Sequence, residues 1–242
     1  MAIHIGTSGW SYNHWQGILY PDRTPSTKRL HYYLQRYDTV EVNNTFYRWP
    51  RDEVFAGWRD QLPDGFQMTV KASRVLTHNK KLNEPHEWVE RIVQGVRTLD
   101  NHLGVLLFQL PPMWGFNAAR LETFLQALPS DVKVAVEFRH HSWHNDETFS
   151  LLGKYGVAYC VMSGAGLPCI LRTTAPFVYV RFHGPDEQHL YAGSYSDDAL
   201  QWWAKRIEEW HVEGKDVWAY FNNDGQGYAL YNAETLKIRL GL

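Results

Sequence analysis

Seven residues each close a short apolar run with a side chain that can hold charge, move a proton or hydrogen-bond a ligand: Glu41, Lys71, Gln109, Glu137, Arg181, His183 and Asn222. Burying one unpaired Glu or Lys costs several kcal/mol, so a purely structural core avoids such positions. Glu41 and Glu137 are a carboxylate pair of the kind used in general acid–base chemistry. Burial would raise their pKa and a neighbouring cation would lower it. His183 is the strand-end residue whose ordinary pKa lies near neutrality, which suits a proton carrier. The expected catalytic set is therefore Glu41, Lys71, Glu137, Arg181 and His183. Ser8, Asn43, Gln109, Arg139, Asn222 and Asn223 would orient the ligand, with Trp10, Tyr12 and Trp143 as lid or stacking surfaces. The ligand expected is a polar or anionic small molecule, sugar-like or phosphorylated. A plainer alternative stays open, in which Lys71, Arg139 and Arg181 neutralise both carboxylates and the Glu residues only bind.

Other chemistries compete for the same residues. Lys71 at a strand end suits a Schiff base, but two carboxylates nearby would hold it charged. Lys71, Arg74, Lys80, Lys81, Arg139 and Arg181, with loop aromatics Trp10, Tyr12, Trp15, Trp49 and Trp143, suit a nucleic-acid groove. Glu41, Glu137 and His183 could ligate a metal, yet no HExxH or Cys-based ligand set exists and no metal is expected. His140, His141 and His144 fall in one loop, and His78 is read as an anchor for the loop after Lys71. Gly184-Pro185 and Asn222–Gly225 are either an anion site or simple turns. No GxGxxG or GxxxxGK phosphate loop is present, and no organic cofactor is implied.

These side chains need a scaffold that repeats. Short β-rich runs lie at 3–8, 39–43, 66–72, 104–110, 132–138, 157–162, 177–183 and 217–222. Helical patterns fill the gaps at 27–37, 52–61, 87–99, 117–128, 147–155, 196–213 and 229–240, with Asn117 and Ser196 placed as N-caps. Alternating strands and helices indicate a parallel sheet with crossover helices. Eight repeats of about 30 residues each favour a single (β/α)8 barrel over residues 1–242. Alternation within strands then matters. In 39–43, Thr39, Glu41 and Asn43 share one parity against Val40 and Val42; in 177–183, Arg181 and His183 oppose Val178, Val180 and Phe182. The polar parity closes at the carboxyl ends, where barrels carry their active sites.

Composition agrees. The chain has 242 residues, 44% hydrophobic and 21% charged, which excludes a wholly disordered protein. With 24 Lys plus Arg against 26 Asp plus Glu, the net charge of −2 excludes binding nucleic acid by bulk charge. Two cysteines make no disulfide scaffold, and Cys160 within an apolar run reads as a small buried hydrophobe. No targeting signal opens the chain and no run suits a membrane helix, so a cytoplasmic protein without membrane contact is expected.

Several motifs are jointly specific: Gly6-Thr7-Ser8-Gly9-Trp10 with Tyr12, Trp15 and Gly17; Val40-Glu41-Val42-Asn43 leading to Thr45-Phe46-Tyr47; Val70-Lys71 and Thr77-His78; Gln109-Leu110-Pro111-Pro112; Ala135 to His140 with Ser142-Trp143; Arg181-Phe182-His183-Gly184; and Tyr220 to Asp224. Together they resemble the domain of unknown function 72, also called the YecE-like family. The resemblance implies a TIM-like barrel and names no reaction. Relatives often carry an Asp just after the sixth strand, where this chain has Ser163-Gly164 after Met162.

Overall fold

The computed structural model describes residues 2–164 and 166–242. Its strands are β1 (Ile3–Thr7), β2 (Thr39–Val42), β3 (Gln67–Lys71), β4 (Leu103–Gln109), β5 (Val134–Glu137), β6 (Ala158–Ser163), β7 (Phe177–Phe182) and β8 (Asp216–Phe221). The helices are α1 (Ser26–Tyr33), α2 (Asn44–Tyr47), α3 (Asp52–Arg59), α4 (Pro85–Arg97), α5 (Ala118–Gln126), α6 (Asp146–Lys154), α7 (Asp197–Val212) and α8 (Tyr228–Arg239). Strand order is β1-β8-β7-β6-β5-β4-β3-β2, with β1–β8, β3–β4, β4–β5, β5–β6 and β7–β8 paired in parallel. Ser8, just past β1, bridges Glu41 of β2. This is the expected (β/α)8, TIM-like fold.

Two compact units divide the chain: Met1–Glu41 with Val161–Ile170 and Phe177–Leu242, and Val42–Cys160 with Leu171–Pro176. In the first, β8 pairs with β1 and β7, and α7 and α8 pack against it. Ser196 caps α7 by accepting from the Ala199 amide, so the expected cap is real. The buried positions of α7, Leu200, Trp203, Ala204, Ile207 and Trp210, follow the 3.6-residue period of one helix face. Phe182 stacks on Phe221 at 4.2 Å and meets Trp203 edge-on at 5.0 Å. Burying each such ring contributes roughly 1.5–3 kcal/mol. Gly6 lies so close to β2 that an added Cβ would sit 2.5 Å from the Thr39 carbonyl oxygen, which explains a glycine inside a strand.

In the second unit β3, β4 and β5 run side by side, with Lys71 opposite Leu107 and Gln109 opposite Glu137. Asn117 caps α5 and Asn145 caps α6, each accepting from the amide three residues on. Val89, Ile92, Val93 and Val96 form the buried stripe of α4. Besides short 3-10 turns, the single turn of α2 and a π-helical turn at Val75–Asn79 lie outside the expected pattern. Each follows directly on a strand end, and neither is long enough to show a helical period. Among the described residues, no helix is long and apolar enough to cross a membrane.

Candidate functional site

In the first unit the carboxyl ends of β2 and β7 meet at one carboxylate. Glu41 is fully buried and Arg181 is 1% exposed. Glu41 Oε1 accepts from Ser8 Oγ at 2.6 Å and from Arg181 Nη2 at 2.7 Å. Its Oε2 accepts from Tyr179 OH at 2.5 Å and from Arg181 Nε at 2.9 Å. The guanidinium thus grips both oxygens, the strongest geometry for such a pair. Burial pushes the Glu41 carboxyl up, but Arg181, Ser8 and Tyr179 outweigh it and hold it below the usual carboxylate range. Burial and the Glu41 charge push the Tyr179 phenol well up, so it stays a donor. Below this layer, Thr39 Oγ1 and Tyr220 OH lie 2.6 Å apart. Glu41, Arg181 and Ser8 therefore do come together, on the parity expected for them. The saturated carboxylate is an anchor for Arg181 and Ser8, not a ready base.

His183 is fully buried, and Asn222 Nδ2 lies 3.4 Å from its Nδ1. Tyr191 lies edge-on to the His183 ring at 5.5 Å. Ser163, the last residue of β6, receives a hydrogen bond from Tyr195 OH at 3.1 Å. Tyr12 donates to the Ser8 carbonyl, and burial, then Asp224 and Glu41, push its phenol far up. Trp10 is half-buried. Asn223 departs from its expected ligand role: it is buried and donates to the Gly193 carbonyl and to Asn232 Oδ1, both at 2.9 Å. It ties a loop to α8. The stretch after β8 closes as a turn, with the Asp224 carbonyl accepting from the Gly227 amide at 3.1 Å.

The second unit holds the other carboxylate. Glu137 is fully buried, and Arg139 Nε donates to its Oε1. The Cys160 thiol, buried as expected, lies 3.8 Å from Glu137 Oε2. Both carboxylates are therefore paired with arginine, the arrangement the plainer alternative described. Lys71, 9% exposed, places Nζ 4.2 Å above the Phe46 ring. The Arg74 guanidinium lies 6.0 Å from the same ring, and His78 meets it edge-on at 4.9 Å. His78 Nδ1 lies 2.9 Å from Thr77 Oγ1, which fixes it on the π-helical turn. Burial, then Lys71, Arg74 and Arg139, push the His78 ring down to about 4, with Glu137 opposing them. His78 is thus neutral near pH 7 inside a cationic neighbourhood. Thr45 Oγ1 donates to the Lys71 carbonyl at 2.7 Å, fixing α2 to the end of β3. The half-buried Asn43 caps no amide, and its buried Oδ1 has no hydrogen-bond partner among the described residues. Gln109 is buried beside Glu137 in register.

Trp143, expected as a stacking surface, is fully buried instead. It packs against Trp114, Phe116 and Phe138 at 5.0–5.3 Å, and its Nε1 donates to the Trp114 carbonyl. The apolar ring and satisfied N–H make it a core residue under its loop. Phe46 and Tyr179 escaped the expected set, and Arg74 was expected only for a nucleic-acid groove. Tyr179 had a signal, since it shares the parity of Arg181 two residues on. Among the described residues, no group of three or more His, Cys, Asp or Glu gathers at metal-binding distance.

Polar and charged groups at the carboxyl ends of parallel strands, on an eight-fold β/α repeat, define a TIM-like barrel protein with paired carboxylates. The chain belongs to the family described as Protein of unknown function DUF72, whose model matches residues 4–242. It is 28% identical to UPF0759 protein YunF of Bacillus subtilis (strain 168), over 97% of this chain and 93% of that one. It is 24% identical to UPF0759 protein YecE of Escherichia coli (strain K12), over 86% of this chain and 82% of that one. A crystal structure of a DUF72 family protein from Thermotoga maritima superposes with a TM-score of 0.90 at 29% identity, covering 100% of both chains.

Proposed function

We propose that the chain is an enzyme that binds a polar, anionic small molecule (a sugar-like or phosphorylated compound) and moves a proton on it in the cytoplasm. One observation carries this reading: Lys71, Arg74 and His78 surround a single ring, Phe46, at the carboxyl end of β3. Two cationic side chains over one ring present N–H donors that a phosphate oxygen can accept. Strand ends of (β/α)8 proteins are where such ligands bind. In this reading Lys71 and Arg74 hold the anionic group. Arg139 and Gln109 orient it, and the Glu137–Arg139 pair keeps its arginine fixed. Proton transfer falls to His78, the neutral ring of the same cluster, because Glu137 is engaged by Arg139.

Inorganic phosphate and a hexose phosphate, each titrated calorimetrically into the full chain, test it. Binding of either, weakened about tenfold by Arg74→Ala and by Lys71→Met, is expected. Absence of binding at millimolar concentration, or binding indifferent to both variants, overturns the anion site. A single-stranded oligonucleotide serves as the contrast. Tight binding that falls steeply with salt, with no phosphate binding, would replace the small-molecule reading with the nucleic-acid groove.

A further inference from the structure

We infer that His14 is a proton-accepting residue held in one tautomer by Asp224, a dyad on residues apart from the Phe46 site. Both belong to the first unit, His14 in the loop after β1 and Asp224 in the loop after β8. His14 Nε2 lies 2.8 Å from the Asp224 carbonyl oxygen and 3.3 Å from its Oδ2. A carbonyl oxygen only accepts, so Nε2 must carry the hydrogen. In the neutral ring Nδ1 is then the unprotonated nitrogen, and among the described residues it has no hydrogen-bond partner. The His14 side chain is 43% exposed, against 27% for Asp224.

The carbonyl that fixes the ring is itself fixed. It accepts from Trp15 Nε1 at 3.0 Å and from the Gly227 amide at 3.1 Å as well. Trp15 is fully buried, and Tyr12 lies tilted against both rings, 5.3 Å from His14 and 4.7 Å from Trp15. The turn that presents Asp224 holds Gln226 at φ 56°, a left-handed backbone for a residue that carries a side chain. Strain of this kind persists only where surrounding contacts impose it, and it gathers at functional sites. Burial pushes the Asp224 carboxyl up, while its own backbone amide and His14 draw it back. Tyr12, also acting near this group, keeps its proton.

The chemistry follows from the tautomer. A hydroxyl of a bound small molecule gives its proton to His14 Nδ1 and keeps the electron pair on oxygen. The imidazolium so formed is stabilised through Nε2–H by Asp224, and the proton returns from Nδ1 when the reaction closes. No oxidant or co-reactant is needed. Asp224 acts through His14 and is a positioning residue.

Long-range proton–nitrogen NMR on the full chain labelled with nitrogen-15 histidine reads the tautomer directly, with His14→Gln assigning the signals. His14 with hydrogen on Nε2 and bare Nδ1 is expected. Hydrogen on Nδ1, or an averaged mixture of tautomers, overturns the proposal, and this reading needs no variant to fold. Diethyl pyrocarbonate, scored by mass spectrometry residue by residue, supplies the second readout. His14 should react, and Asp224→Asn should slow it by about threefold, with Asp224→Glu restoring the rate. Equal rates in all three chains would mean that the contact is only a strap between loops.

Discussion

Replacing Glu41 with glutamine removes one charge from a buried pair while leaving the shape almost unchanged. Arg181 is 1% exposed, so its guanidinium keeps its burial and loses its counter-charge. Four donors now converge on one carboxylate: Ser8 Oγ, Tyr179 OH, and Nε and Nη2 of Arg181. Glutamine offers them one acceptor oxygen and turns an NH2 toward the rest. Breaking a buried ion pair by removing one partner costs about 3–5 kcal/mol. For a chain of this size each kcal/mol lowers the melting temperature by about 2–4 °C, so Glu41→Gln should melt about 6–20 °C lower. Urea denaturation followed by circular dichroism and by tryptophan fluorescence measures it. The double variant Glu41→Gln with Arg181→Met should be less destabilised than the single, because no unpaired charge remains. The pH dependence has a definite sign. Glu41 is held below its ordinary value, so its stabilisation is full above about 4.5 and disappears as pH falls through the lower folded value; Glu41→Gln should lack that acid limb. A single variant that loses less than about 1 kcal/mol, or a double variant worse than the sum of its singles, would refute the claim that Arg181 depends on Glu41.

Glu137→Gln loosens the anchor of Arg139 and should weaken phosphate binding about tenfold by calorimetry while the native far-ultraviolet circular dichroism spectrum is retained; unchanged binding removes Glu137 from the site. Trp143→Ala opens a cavity among Trp114, Phe116 and Phe138 and should cost about 3–5 kcal/mol in urea, whereas a lid residue in its place would cost almost nothing. His78 stays neutral in the folded chain down to about 4, while an unfolded histidine protonates near 6.5. Stability should therefore fall as pH drops from 6.5 to 4, by about 1 kcal/mol after discounting for the half-exposed ring, and His78→Gln should flatten that slope in melting curves taken across the window.

Hydrophobic alternation reached the fold and part of each cluster. The strands were legible because Val40, Val42, Val178 and Val180 oppose polar neighbours with a period of two, and a one-residue slip would bury the wrong set. Glu41 and Arg181 were legible for the same reason, as ionisable groups on an otherwise repeating pattern. Which cation meets which anion was not. Glu41 pairs with a residue 140 positions away, and only three-dimensional register decides between Lys71, Arg139 and Arg181. Trp143 and Asn223 carry side chains that look functional in a loop, but aromatic rings and amides also close loops over a core, and burial separates the two uses. Phe46 lies in a single helical turn too short to show periodicity, so its place among Lys71, Arg74 and His78 left no trace in the pattern. His14 and Asp224 each sit in turn-forming stretches, where composition says turn and nothing more.

The grip of Arg181 on Glu41 also orders events during synthesis. Residues 1–41 leave the ribosome long before β7 exists, since Tyr179 and Arg181 follow Glu41 by 138 and 140 positions. Until then Glu41 has a hydroxyl from Ser8 to bind but no guanidinium, and β1 has no β8 beside it. The intervening segment Val42–Cys160 makes up most of the other unit and can begin to condense first, before Leu171–Pro176 completes that unit. The nascent amino-terminal segment therefore waits as an unfinished surface until the last third of the chain arrives, the phase in which holding by a chaperone would matter most.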